Sequence, residues 1–253
     1  MNRPIAMITG ASAGFGEAIA RRFAQEGWNV IITGRRAERL HTLAEELGQM
    51  HQTDIYALPF DVRDPKAVEE AIVSLPEEWK TIQVLVNNAG LAVGRNTIDS
   101  GDLEDWERMI DTNVKGLLYV TRFAVEYLRN AENAHIVNIG SIAGKEVYNG
   151  GNVYCATKFA VDALTKAMRV EFLPLGFRVT QISPGAAETE FSMVRFKGDE
   201  EKAAKVYEGY KALTAEDVAD TLWFAVTRPP HVCLNDIVIM PAAQANSFTF
   251  FKN

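Results

Sequence analysis

The sequence predicts an α/β fold, a doubly wound parallel sheet of about seven strands with helices on both faces. Short apolar runs of strand length alternate with amphipathic stretches of helix length along the whole chain. The first three of these elements form strand, glycine turn, helix and strand within roughly 30 residues, the span of a β-α-β crossover to a parallel neighbour. The apolar runs also stop at small polar residues, as strands do where an open α/β sheet meets a ligand.

The order of elements follows from this pattern. Ile5 to Thr9 is the first strand, Gly10 to Gly16 the turn, and a helical stretch carrying Ile19, Phe23 and Ala24 runs to Gly27. Val30 to Ile32 is the second strand, followed by a helix ending near Gly48. Ile55 to Phe60 is the third strand, and a helix from Pro65 to Leu75 carries proline in its first turn, where no amide partner is lost. Val84 to Val86 is apolar throughout, like a strand buried on both faces. A long helical region spans Leu103 to Arg129, Ile136 to Ile139 is a strand, and Val153 to Phe172 is a helix. Val179 to Ile182 is the sixth strand. Glu188 to Lys211 reads as irregular and charged, Ala215 to Val226 as a helix, and Ile237 to Ile239 as the closing strand. Internal repeats and low-complexity tracts are absent.

Composition narrows the function. With 253 residues and 47% hydrophobic content, the chain suits one domain with an ample core, and no linker-like stretch divides residues 1–253. Its net charge of −7, without a basic run, argues against nucleic acid and anionic membrane as partners. Met1-Asn2-Arg3-Pro4 leads into the first strand without an apolar leader, and no apolar run reaches the ~20 residues of a membrane helix, so the expectation is a cytoplasmic protein. Cys155 and Cys233 lie far apart and lack metal-ligand spacing, so no metal site is expected.

Two places carry chemistry. Glycines at Gly10, Gly14 and Gly16, between a strand and a helix, suit the approach of a pyrophosphate to the helix N-terminus. At the end of the second strand an NAD site places an acidic residue on the ribose 2′-hydroxyl; this chain has Gly34-Arg35-Arg36, which suits the 2′-phosphate of NADP. A solvated helix start is the other reading of the two arginines. Tyr154 and Lys158 are one helical turn apart, so phenol and ammonium can address one pocket, and a nearby ammonium lowers a phenol's pKa. A packed ring beside a solvated amine is the alternative.

Taken together these landmarks resemble the short-chain dehydrogenase/reductase family over nearly the whole chain. The match runs in order through Gly10, Gly14 and Gly16, Asp61, Asn87-Asn88-Ala89-Gly90, Asn113, Ser141, Tyr154 with Lys158, and Pro184-Gly185 followed by Thr189. Within the family the chain is similar to NADP-dependent 3-hydroxy acid dehydrogenases acting on serine, allo-threonine and related substrates. That likeness rests on Gly34-Arg35-Arg36 and on the stretch from Glu188 to Gly198, and Ala186-Ala187 depart from the larger aliphatic residues expected there.

The resemblance implies a Rossmann-type fold and a homotetramer whose interface uses the helices around residues 103–129 and 153–172. It also implies an NADP site made of Gly10, Ala11, Ser12, Gly14, Phe15, Gly16, Arg35, Arg36, Asp61, Val62, Asn88, Ala89, Gly90, Tyr154, Lys158, Pro184, Gly185 and Thr189. Tyr154 would exchange a proton with the substrate oxygen, Lys158 would lower its pKa and bind the nicotinamide ribose, Ser141 would bind the substrate oxygen, and Asn113 would hold a relay water. A lid over residues 188–212 would bring Arg195 to the carboxylate of a hydroxy acid or semialdehyde substrate. A broader carbonyl reductase and a non-catalytic cofactor-sensing module are the other functions consistent with this reading.

Overall fold

Strands that are apolar on both faces need cover on both sides, and the fold supplies it. The computed structural model describes residues 3–252; Met1 and Asn2, which open the expected leaderless start, and Asn253 lie outside the described residues. Seven parallel strands, β1 (Ile5–Ile8), β2 (Asn29–Gly34), β3 (Ile55–Pro59), β4 (Ile82–Asn87), β5 (His135–Ile139), β6 (Arg178–Pro184) and β7 (Asp236–Ile239), form one sheet in the order β3-β2-β1-β4-β5-β6-β7. Alternate residues feed two cores. Ile5 and Met7 join one with helices α3 (Pro65–Val73), α5 (Leu117–Leu128) and α6 (Asn152–Glu171); Ala6 and Ile8 join the other with α1 (Gly14–Gln25), α2 (Ala37–His51) and α9 (Ala215–Val226).

From β1 the chain winds outward to β2 and β3, then returns to place β4 on the other side of β1. The reversal opens a crevice beyond the carboxyl ends of β1 and β4, the place where doubly wound sheets bind ligands. Specific bonds tie together the two strand ends at its base: Thr9 Oγ1 accepts from the amides of Asn88 and Ala89 at 3.0 and 2.9 Å, and Asn88 Nδ2 donates to the Thr9 carbonyl at 2.8 Å. Next to it, the buried Asn87 amide donates to Thr121 Oγ1 and Asn138 Oδ1, both at 2.9 Å, locking the end of β4 to its neighbours.

Three expectations change. The helix expected to end near Gly48 continues to His51, where Gln52 adopts a left-handed conformation and its amide donates back to the Gly48 carbonyl. The region from Leu103 to Arg129 is helical but not uniform: α4 (Leu103–Ile110) and α5 are joined by a π-helical turn over Asp111–Gly116. The charged segment after β6 is not irregular, for it holds α7 (Phe191–Arg195) and α8 (Glu200–Lys205), the latter capped by the Asp199 carboxylate accepting from Lys202 N at 3.0 Å. Helices of five and six residues are too short to leave a periodic apolar stripe.

His135 is fully buried in the sheet with Nε2 2.7 Å from Thr180 Oγ1. Burial, reinforced by Arg178, pushes its pKa down to about 3, so it stays neutral in the folded protein at pH values where the unfolded chain takes up a proton. The stability this provides is complete above about pH 6.5 and is lost as pH falls toward 3. Urea unfolding should lose about 2 to 3 kcal/mol between pH 7 and 4.5 from this group alone, and His135→Gln should remove that part of the slope.

Candidate active site

Two cavities meet in the crevice. The first, about 320 Å³, is a groove lined by Gly10, Ser12, Gly14, Phe15, Arg35, Arg36, Asp61, Val62, Asn88, Ala89, Gly90, Tyr154, Lys158 and Thr189 among others. The first turn of α1 faces it, preceded by Ala13 in an extended conformation with no side-chain cap. The helices α3, α4, α8 and α9 begin under Asp64, Asp102, Asp199 and Thr214, whose side chains accept first-turn amides; α2, α6 and α7, like α1, lack such a cap, and it is the glycine turn before α1 that brings its amides to this groove. The α1 amides are thus left for an anion. Beside this N-terminus, Arg36 Nε donates to Ser12 Oγ and Nη2 to the Ser12 carbonyl, both at 3.1 Å, which fixes the guanidinium against the glycine turn. A helix N-terminus for a pyrophosphate and paired guanidiniums for a 2′-phosphate fit NADP.

Tyr154 lines both cavities, and Lys158 lies one turn along α6 on the groove side. Lys158 is buried; its Nζ donates to the Ile139 carbonyl at 2.8 Å, and burial lowers its pKa to about 8. Burial and then the Tyr148 ring push the Tyr154 phenol above its ordinary value, against the Ser141 hydroxyl and the Arg195 guanidinium, which favour the phenolate. Burial dominates the phenol, and the Lys158 ammonium expected to act on it is directed at the Ile139 carbonyl.

Asn113 sits in the π-helical turn, buried beside this pair. Its Oδ1 accepts from Leu91 N at 2.8 Å, and its Nδ2 donates to the Leu91 carbonyl at 2.8 Å and to Thr157 Oγ1 at 3.0 Å. With the amide so engaged, Oδ1 keeps one lone pair for a further donor. π turns of this kind recur at functional sites.

The second cavity, about 480 Å³, lies beyond Tyr154 and is lined by Ser141, Tyr148, Arg95, Pro184, Gly185, Ala186, Ala187, Arg195 and the tail residues Gln244 and Lys252, among others. Its cover is the segment carrying α7 and α8, pinned at the base by Glu188 N donating to the Leu213 carbonyl at 2.9 Å and Leu213 N to the Ala186 carbonyl at 3.0 Å. From this cover Phe191 packs on Tyr154 at 5.6 Å between ring centroids. Arg195 Nη2 donates to Tyr148 Oη at 2.8 Å, and its guanidinium lies 5.2 Å from the Tyr148 ring and 5.7 Å from the Tyr154 ring. Its Nε is buried with no hydrogen-bond partner among the described residues. Arg95 stands close enough that burial, followed by repulsion from Arg195, lowers its pKa.

Most residues expected from the sequence gather here, in different roles. Ala11 and Gly16 stand behind the groove wall: Ala11 is fully buried with its amide donating to the Thr33 carbonyl at 2.9 Å, and a Cβ at Gly16 would lie 2.3 Å from the Gly10 carbonyl oxygen. Ser141, Pro184 and Gly185 border the second cavity, not the groove, and Thr189 borders both. The Asp61 carboxyl lines the groove; burial pushes it up, but Arg63, at 2.6 Å, holds it below the carboxylate range. Sequence reasoning missed Tyr148, Arg95 and Gln244. Tyr148 and Arg95 lie in loops without periodic signal, and Gln244, whose Oε1 accepts from Ala186 N at 2.8 Å, comes from the distant tail. Among the described residues no cluster of His, Cys, Asp and Glu is arranged for a metal, and no helix is long and apolar enough to cross a membrane.

Comparison with known proteins supports this geometry. The profile of the short chain dehydrogenase family matches residues 4–200. NADP-dependent 3-hydroxy acid dehydrogenase YdfG of Escherichia coli strain K12 is 49% identical over 242 residues, covering 95% of this chain and 96% of its own. Sulfoacetaldehyde reductase 2 of Chromohalobacter salexigens is 46% identical over 242 residues, covering 95% of each chain. Among solved structures, the closed form of serine dehydrogenase complexed with NADP+ superposes with a TM-score of 0.92 at 48% identity, covering 98% of this chain and 99% of that one. An uncapped helix at a glycine turn, a tyrosine and lysine one turn apart at the crevice, and these likenesses over nearly full length converge: the chain belongs to the short-chain dehydrogenase family.

Proposed function

We propose that this chain is an NADP-dependent oxidoreductase that moves a hydride between the cofactor and a short 3-hydroxy acid of the serine, allo-threonine, 3-hydroxypropionate or malonic semialdehyde type. The observation that carries the substrate class is the Arg195 guanidinium, which lines the second cavity beside Tyr154 and Ser141 and lies over the rings of Tyr148 and Tyr154. A guanidinium facing a cavity is the strongest available partner for a carboxylate, so the site suits an anion that binds beside the catalytic phenol. When bound, the nicotinamide gives or takes the hydride. Tyr154 Oη holds the proton exchanged with the substrate oxygen, and the Ser141 hydroxyl binds that same oxygen. Lys158 uses one of its three N–H donors on Ile139, leaving two for the cofactor side of the groove. Phe191 covers the phenol and limits water at the reacting atoms.

A second substrate has support of its own. Arg95, Arg195 and the Tyr148 hydroxyl offer more donors than a planar carboxylate needs, and they suit the three oxygens of a sulfonate, so sulfoacetaldehyde belongs in the same assay. We read the chain as one domain with a lid over residues 188–212. Its two free cysteines support a reducing, cytoplasmic compartment.

We further infer a homotetramer. Leu118 on α5, and Phe159 and Val170 on α6, are exposed apolar residues on the helices expected to form the interface. In the tail Phe248 and Phe251 are exposed, whereas Phe250 packs on Tyr210 of its own chain at 5.0 Å.

Three measurements test these readings. A panel of 3-hydroxy acids, sulfoacetaldehyde and a neutral alcohol, followed by NADPH absorbance, should give turnover with the charged substrates, and Tyr154→Phe should lower kcat about 10²- to 10⁴-fold while NADPH binding stays nearly intact. Arg195→Met should raise KM for a 3-hydroxy acid about 10- to 100-fold and spare the neutral alcohol; equal losses would make Arg195 a lid-shaping residue only. Light scattering should give the mass of four chains, and a monomeric mass would remove the interface assignment.

A further inference from the structure

Glu190 immediately precedes the first lid helix, and its carboxylate lines the cofactor groove. It accepts from Arg36 Nη1 at 3.0 Å and from Arg39 Nη1 at 2.9 and 3.2 Å, so two guanidiniums from the corner between β2 and α2 converge on one anion supplied by the lid. Arg36 is already aimed by its two bonds to Ser12. Arg39 follows three residues later, on the same side of the start of α2, and is absent from the cofactor residues expected from the sequence.

Stability does not require this arrangement. The side chains of Arg36, Arg39 and Glu190 are 44%, 53% and 51% exposed, and ion pairs so open to water contribute little to folding. Its position matters more, since Arg36 is one of the two guanidiniums that suit a 2′-phosphate. A carboxylate brings one charge and two oxygens; a phosphate monoester brings nearly two charges and three oxygens, and it outbids a carboxylate for paired guanidiniums.

We propose that Glu190 is an internal competitor for the 2′-phosphate of NADP on Arg36 and Arg39, and that Arg39 is a further residue setting cofactor specificity. This rests on the NADP reading above. Without the phosphate, Glu190 offsets one of the two positive charges and tethers the start of the lid to both arginines. The 2′-phosphate takes over both guanidiniums and releases Glu190. A cofactor lacking that phosphate leaves both ion pairs in place.

The test is binding, measured on the purified full chain without substrate. NADPH and NADH are titrated by fluorescence, and adenosine 2′-phosphate against adenosine 5′-phosphate by calorimetry, for wild type, Glu190→Gln, Arg39→Met and the double variant. Thermal unfolding of each variant checks its fold. Glu190→Gln should tighten NADPH and adenosine 2′-phosphate about 3- to 10-fold and leave NADH and adenosine 5′-phosphate within about twofold, the size expected when two exposed competing ion pairs are removed. Arg39→Met should weaken NADPH about 5- to 10-fold, and should do so in the Glu190→Gln background too, which separates its contact with phosphate from its contact with Glu190. Unchanged or weaker NADPH binding in Glu190→Gln, or equal shifts for NADPH and NADH, overturns the proposal while a wild-type preference for NADPH leaves the cofactor reading standing. A wild type that binds NADH as tightly as NADPH overturns both.

Discussion

The site depends on keeping a lysine ammonium out of water. Lys158 is buried at the carboxyl end of the sheet, with the Ile139 carbonyl as its hydrogen-bond partner among the described residues. Burying a charge with so little compensation is unfavourable, and its pKa falls to about 8 as a result. Only a packed frame holds such a group in place. Gly144 lies so close to the helix that a Cβ there would come 2.6 Å from the Lys158 carbonyl oxygen, and Asn113 ties the loop after β4 to Thr157, the residue before Lys158. The frame stores an unmet demand for hydrogen-bond acceptors, which the hydroxyls of a bound cofactor can meet.

Much of the fold was legible because parallel sheets write themselves plainly in sequence. Val84 to Val86 is apolar at every position since both faces are covered, and α9 occupies the Ala215 to Val226 stretch that periodicity marks. Gln52 shows where such reading fails. A glycine at 48 looks like a helix stop, but the stop is made four residues later by a left-handed glutamine, a backbone choice that composition does not announce. The lid helices failed for length, and so did the π turn, since six residues are too few to display a period of their own.

The candidate site divides in the same way. Residues fixed by local motifs, such as Ser12, Gly14, Tyr154 and Lys158, sit on the groove wall. Residues that depend on two distant segments meeting were invisible: Tyr148 becomes meaningful only beneath Arg195, and Gln244 only when the tail folds back on Ala186. Gly16 was legible in position but not in role, as it makes room for the Gly10 carbonyl behind the groove. Electrostatics were the least legible, because the Tyr154 phenol answers to its degree of burial, and burial is a property of the whole fold.

The π turn at Asp111–Gly116 has a consequence for how this helix can change. It amounts to one residue inserted into an α-helix, and each residue rotates the chain by about 100°. Deleting a residue between Asp111 and Gly116 would restore regular α-helical bonding through α4 and α5, a local gain in order. The same deletion would shift the phase between the two halves, so that either α5 loses the seat of Leu117, Val120 and Ala124 in the core or Asn113 swings away from Leu91 and Thr157. Regularity and a correctly aimed amide are mutually exclusive in this helix, and the protein keeps the irregular turn.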